Sequence, residues 1–175
     1  MTHDHGHQVV LALGSNLGDR QDILQGAVDA VAGLEGVRVE AVSPVYETVP
    51  VGGPPQPDYL NAVVLARTAV PSRELLDELH EIEAAFDRVR LVRWDARTLD
   101  IDIITVDGER GDDPDLTLPH PRAHERAFVL APWHDLAPDA ELPGYGPVAD
   151  LLARADRAGV RRSAVTLTVP WQGDA

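Results

Sequence analysis

The chain has 175 residues, 44% of them hydrophobic and 25% charged, with no cysteine and a formal net charge of -14. That length suits one domain with a single core burying about 70% of the unfolded surface, and the composition excludes a disordered chain, a disulfide scaffold and a cysteine nucleophile. All 15 basic residues are arginine, which removes Schiff-base, P-loop and kinase-type lysines, and the acidity argues against a nucleic-acid partner, because duplex binding needs a broad basic face.

Past His3, His5 and His7, the run Gln8 to Leu13 reads as a buried strand that turns at Gly14, Ser15 and Asn16. Asp19 caps a helix to Leu34 whose apolar stripe is Ile23, Ala27, Ala30, Val31 and Leu34. Val37 to Val42 and Leu60 to Val70 read as strands. Between them, Thr48 to Asp58 carries too many prolines and glycines for a regular ladder and reads as a long functional or mobile loop. Ser72 caps a second helix to Phe86, and an arginine-rich loop follows. Ile101 to Val106 is a further strand, with Asp107 and Gly108 as a hairpin turn. In the last third, His124 to Ala131 and Pro147 to Ala155 read as helices and Arg161 to Val169 as an edge strand or tail. The order strand, helix, strand, strand, helix, strand predicts an α+β domain, a ferredoxin-like split β-α-β sheet with helices packed on it. One domain over 1–175 is expected, with 1–7 disordered and 156–175 a variable tail. No window approaches the roughly 18 apolar residues of a membrane helix and no signal peptide is evident, so a cytoplasmic protein without a membrane partner is expected.

The chemistry concentrates in DRVRLVRWDARTLDIDI, where Arg88, Arg90, Arg93 and Arg97 precede Asp100 and Asp102. Two aspartates two apart on a strand project to one side while Leu99, Ile101 and Ile103 face the other. Such a pair repels unless a cation or arginine lies between, and magnesium with a nucleotide phosphate fits. A solvated polar face is the plainer alternative; the four guanidinium forks just upstream, suited to phosphate oxygens, favour the metal. Tyr59 and Asn61 are also two apart and could stack on a planar heterocycle and read its edge. From that spacing alone, a half-buried tyrosine and a turn-closing asparagine is the stronger reading.

Taken together, LALGSNLGDR, PVYETVPVGG, QPDYLNAVV, RWDARTLDIDI and LTLPHPRAHERAFVLAPW, in this order, resemble the 6-hydroxymethyl-7,8-dihydropterin pyrophosphokinase family of folate biosynthesis, from about Val9 to Pro138. The resemblance implies transfer of a diphosphate group from ATP to the pterin hydroxymethyl oxygen, with AMP released and two magnesium ions used. It implies Asp100 and Asp102 as metal ligands, and Arg88 and Arg97 as the arginines that assist transfer. It places the pterin against Thr48, Val49, Val51, Tyr59, Asn61, Trp94 and Phe128, and the nucleotide against Glu83, Arg90, Thr117, His120 and Arg126. ATP and 6-hydroxymethyl-7,8-dihydropterin are the expected partners of a monomer. The chain departs from the family's pattern at His80, Asp87, Asp95, Ala96 and Pro121, and the added aspartates should weaken the arginine loop's pull on a polyphosphate. Another nucleotide transferase on the same sheet, or a non-catalytic pterin-binding module, are the rival readings.

Overall fold

The first apolar run forms β1 (His7–Ser15), an inner strand flanked antiparallel by β4 (Tyr59–Thr68) and β5 (Asp100–Val106). The computed structural model describes residues 6–16, 18–50, 55–87 and 98–173. Helix α1 (Arg20–Ala32) starts as expected at Asp19, whose carboxylate accepts from the Asp22 amide at 3.2 Å. Strands β2 (Val37–Val42) and β3 (Tyr46–Thr48) pair in succession with the same edge of β4. The break between them falls at Ser43 and Pro44. There the Ser43 hydroxyl accepts from the Val63 amide at 2.8 Å, standing in for a ladder bond. Helix α2 (Ser72–Asp87) buries the expected Leu75, Leu76, Leu79 and Ile82. Ser72 is its first residue and not its cap, and its hydroxyl donates to Glu109 Oε1 at 3.0 Å.

Strands β2, β4, β1 and β5 lie side by side in that order with every neighbour antiparallel, which is the split β-α-β arrangement expected from the sequence. Alternation along each strand divides the interior in two. Leu11, Leu13, Val64, Ile101 and Ile103 meet Leu24, Val28, Val31, Leu75 and Leu79 of α1 and α2. On the other face Val10, Val63 and Ile104 meet Leu130, Trp133, Leu151 and Leu152 of α3 (Ala127–Leu136) and α4 (Val148–Arg154).

Three local expectations are corrected. Asp107 and Gly108 do turn, but the hairpin lies further on, between β6 (Gly111–Asp113) and β7 (Leu116–Leu118), because β5 is paired with β1. The helix expected over His124 to Ala131 is a 3-10 turn (Ala123–Glu125) and then α3, separated by extended backbone at Arg126. A two-stranded pair, β8 (Glu141–Leu142) and β9 (Gly146–Pro147), leads into α4. The expected edge strand shortens to β10 (Val160–Arg162), which pairs with β3 and widens the sheet. Beyond it the chain returns across α1. Val165 and Leu167 pack on the α1/α2 core, and the Gln172 amide accepts from Val39 N at 2.7 Å and donates to Val39 O at 2.8 Å. Residues 1–5 of the expected disordered terminus lie outside the described residues, and His7 opens β1. Among the described residues no helix is long and apolar enough to cross a membrane.

Candidate active site

Because Leu60 and Ala62 point into the α1/α2 core, Tyr59 and Asn61 point to the opposite face of β4. The same alternation puts Asp100 and Asp102 on that face of β5, opposite Ile101 and Ile103, as the sequence predicts. Register then brings the two strands' polar groups level. Gly14 of β1 stands opposite Asn61 on one side and Asp100 on the other, and Ala12 stands opposite Asp102. Thr48 of β3 pairs with Tyr59. The central strand thus contributes residues with little or no side chain, flanked by the groups with chemistry.

A cavity of about 440 Å³ opens over this floor. Thr48, Val49, Tyr59, Asn61, Asp100, Asp102, Arg126 and Phe128, all anticipated from the sequence, converge on it. Glu83, Thr117 and His120 lie outside its lining. Val51, Arg88, Arg90, Trp94 and Arg97 fall outside the described residues. Sequence reasoning missed Gly14 as floor and Asp156, Ala158 and Val160 as a wall. The first could have been found from the glycine that ends an otherwise apolar strand; the wall has no local signal, because it is made by the pairing of β10 with β3.

Asn61 is buried, and its Nδ2 donates to the Thr48 hydroxyl at 2.8 Å, which orients the carboxamide before any ligand arrives. One amide hydrogen and the carbonyl oxygen remain for a heterocycle edge. Glu83 accepts from the Ile101 amide at 2.9 Å and so ties α2 to the strand segment between the two aspartates. The Arg126 guanidinium lies over the Phe128 ring, 5.6 Å from its centroid, where cation–π attraction holds both at the start of α3. His120 donates its backbone N–H to Ile104 O at 2.8 Å, and its Nδ1 accepts from the Arg122 amide at 3.1 Å. Burial pushes its imidazole below the ordinary range; the Asp102 carboxylate opposes this, and Arg126 and Arg122 add to it. The ring is therefore mostly neutral at pH 7. Thr117 donates to Asp113 O at 3.0 Å within the β6–β7 hairpin.

Four acidic residues line the cavity, Asp100, Asp102, Glu125 and Asp156, of which Asp100 and Asp102 share one face of β5, and among the described residues no group of three His, Cys, Asp or Glu side chains could enclose a metal. That donor set fits a hard cation that takes one or two carboxylates and completes its shell with substrate phosphate oxygens and water, as magnesium does, and not a closed protein cage.

A family model for 7,8-dihydro-6-hydroxymethylpterin-pyrophosphokinase (HPPK) matches residues 10–138. The chain is similar to proteins named 2-amino-4-hydroxy-6-hydroxymethyldihydropteridine pyrophosphokinase. The one from Methylorubrum extorquens is 43% identical, over 87% of this chain and 96% of the relative. The one from Mycobacterium leprae is 46% identical, over 91% of each. Among solved structures, wild-type Plasmodium falciparum HPPK-DHPS shares the fold, with a TM-score of 0.65 and 16% identity over 89% of this chain. The present chain spans 45% of that longer one.

Proposed function

The chain belongs to the 7,8-dihydro-6-hydroxymethylpterin-pyrophosphokinase family, and on that premise we propose that the cavity beside Asn61 seats the pterin while Asp100 and Asp102 hold magnesium against ATP. The activity is ATP-dependent transfer of a diphosphate group to the hydroxymethyl group of hydroxymethyldihydropterin, in folate biosynthesis. The observation that carries the placement is the level row Asn61, Gly14, Asp100 across three adjacent strands. A carboxamide suited to a pterin edge and the carboxylates suited to metal stand on either side of a residue with no side chain, so the hydroxymethyl arm can lie between them.

In this reading Tyr59 and Phe128 offer aromatic faces to the ring, Thr48 and Val49 meet it at the end of β3, and Val51 and Trp94 are assigned to the same ligand. Glu83, Arg90, Thr117, His120 and Arg126 form the nucleotide side. The hydroxymethyl oxygen attacks the β-phosphorus in line, the bond to the bridging oxygen of the α-phosphate breaks, and AMP leaves with that oxygen. Two magnesium ions bound at Asp100 and Asp102 would supply charge neutralisation at the phosphates and polarisation of the attacking hydroxyl. Arg88 and Arg97 meet charge that develops on the transferring group, and positioning supplies the remainder. The presence of both halves of the site on one sheet supports a single pyrophosphokinase domain, and we read it as a monomer of the cytoplasm.

Incubation with ATP, magnesium and the hydroxymethyl dihydropterin should give AMP and diphosphorylated pterin in equal amounts. ADP as the nucleotide product would overturn the reading. The floor of the cavity gives a second expectation. A Cβ at Gly14 would lie 3.1 Å from Asn61 Oδ1, tighter than ordinary van der Waals contact. Gly14→Ala should therefore displace the carboxamide and weaken pterin binding about tenfold, the scale of one perturbed buried hydrogen bond. Fluorescence titration with pterin checks this, and a variant that binds as the parent does would remove Gly14 from the floor.

A further inference from the structure

Four charged side chains from separate segments meet beside the cavity without lining it. Glu47 lies in β3 just before Thr48, and Asp58 lies just before Tyr59, so the two stand on either side of the proline-rich loop. Arg161 of β10 places Nη2 3.3 Å from Glu47 Oε1 and 3.2 Å from Asp58 Oδ2. From the start of α1, Arg20 Nη1 lies 3.4 Å from the same Glu47 oxygen and donates to the Asp58 carbonyl at 2.7 Å. Two acids and two bases therefore close the loop at its neck, with no net charge left over.

Backbone contacts run parallel to this cluster. Val49 N donates to Gly159 O at 2.9 Å, and the pairing of Val160 with Thr48 continues the sheet. On the far side of the loop, Asn16 Nδ2 donates to Gln56 Oε1 at 2.7 Å. Thr48, which orients Asn61, and Tyr59 each stand one residue inside the charged neck and line the cavity.

Resting on the placement of the pterin above, we propose that Arg161 is a positioning residue for pterin binding: by bridging Glu47 and Asp58 it clasps the neck of the loop and holds Thr48 and Tyr59 at the spacing the ring requires. Arg161 lies beyond residues 10–138, the span matched by the family, so this clasp is supplied by the carboxy-terminal segment. Partly exposed ion pairs add little to global stability. Their effect here is on a local equilibrium, because they reinforce the last pairing of the β3–β4 ladder, Thr48 with Tyr59, where it would otherwise fray, and salt weakens them.

The test is Arg161→Gln, which keeps a polar side chain on β10. Pterin Kd should rise about fivefold, the scale of two partly exposed ion pairs, while affinity for a non-hydrolysable ATP analogue and kcat at saturating pterin stay unchanged. In the parent, raising salt should weaken pterin binding toward the variant's value; in the variant, salt should have little effect. Asp58→Asn should give part of the loss, because the Arg161–Glu47 pair stays in place, and the double variant should lose no more than Arg161→Gln alone, because the Asp58 pair is already gone there. Hydrogen exchange at the Val49 amide, read without ligand, should quicken in the variant and recover in part in Arg161→Lys. Unchanged Val49 exchange, unchanged pterin affinity, or equal loss of pterin and nucleotide binding would each overturn the clasp. Failure of the parent itself to bind pterin would overturn the placement of the pterin instead, and the ligand-free exchange would still decide whether the neck is held.

Discussion

Asp100→Ala or Asp102→Ala should lower turnover about a thousandfold or more, on the scale of removing a preorganised group that meets transition-state charge, and should leave pterin binding without nucleotide nearly unchanged. Both carboxylates owe their position to β5, whose other face is sealed by Ile101 and Ile103 in the α1/α2 core. The strand does not depend on them for its place, since it is paired with β1 and its Ile101 amide is held by Glu83. The variants should therefore fold, and the lost activity should reflect chemistry. The remaining carboxylate cannot hold the cation and the bridging phosphates together. Steady-state turnover beside pterin titration checks the split, and near-native kcat in either variant would remove the metal assignment.

Asn61→Leu should weaken pterin binding by about 1 to 3 kcal/mol, the usual cost of stranding buried polar groups, with nucleotide affinity unaffected. The pterin's amide edge loses its partner, and the Thr48 hydroxyl loses the Nδ2 donor at 2.8 Å. Leucine fills the space without restoring either bond. Thr48→Val separates the two contributions, because it keeps the carboxamide and removes only what orients it. Calorimetric titration with pterin and with an ATP analogue measures both variants. Pterin affinity that survives in Asn61→Leu would mean that the pocket is built elsewhere.

The centre of the fold was legible because its signals are local and repeated. Alternation in β1, β4 and β5, and the three- and four-residue spacing in α1 and α2, already separate core from polar faces. The same alternation put Asp100 with Asp102, and Tyr59 with Asn61, on common sides. What it could not give was that those sides coincide, because that depends on the register of β1 with both neighbours. Strand β3 escaped notice since three residues before a run of prolines carry almost no periodic signal. The Arg161 clasp was invisible for a stronger reason: its ion pairs join residues about a hundred positions apart in sequence, Asp58 and Arg161, and nothing near Arg161 marks it as different from its neighbour Arg162. The Asp107–Gly108 turn was read correctly as a turn and wrongly as a hairpin, because the dipeptide specifies a reversal and not the partner that follows.

The side-chain amide of Gln172 has a consequence for how the protein behaves when concentrated. An open strand border offers outward N–H and C=O groups to any second chain that can extend the ladder. On β2 that offer is withdrawn at Val39, where the carboxamide presents an acceptor and a donor with the spacing of a peptide group. On β5 the Ile104 carbonyl is taken by the His120 amide. The folded chain thus supplies its own stoppers on two outer strands of a mainly antiparallel sheet, β2 and β5, one from the far end of the sequence and one from a loop. Loss of the first should show as time-dependent aggregation and not as loss of activity, since Gln172 lies against β2 and outside the cavity lining.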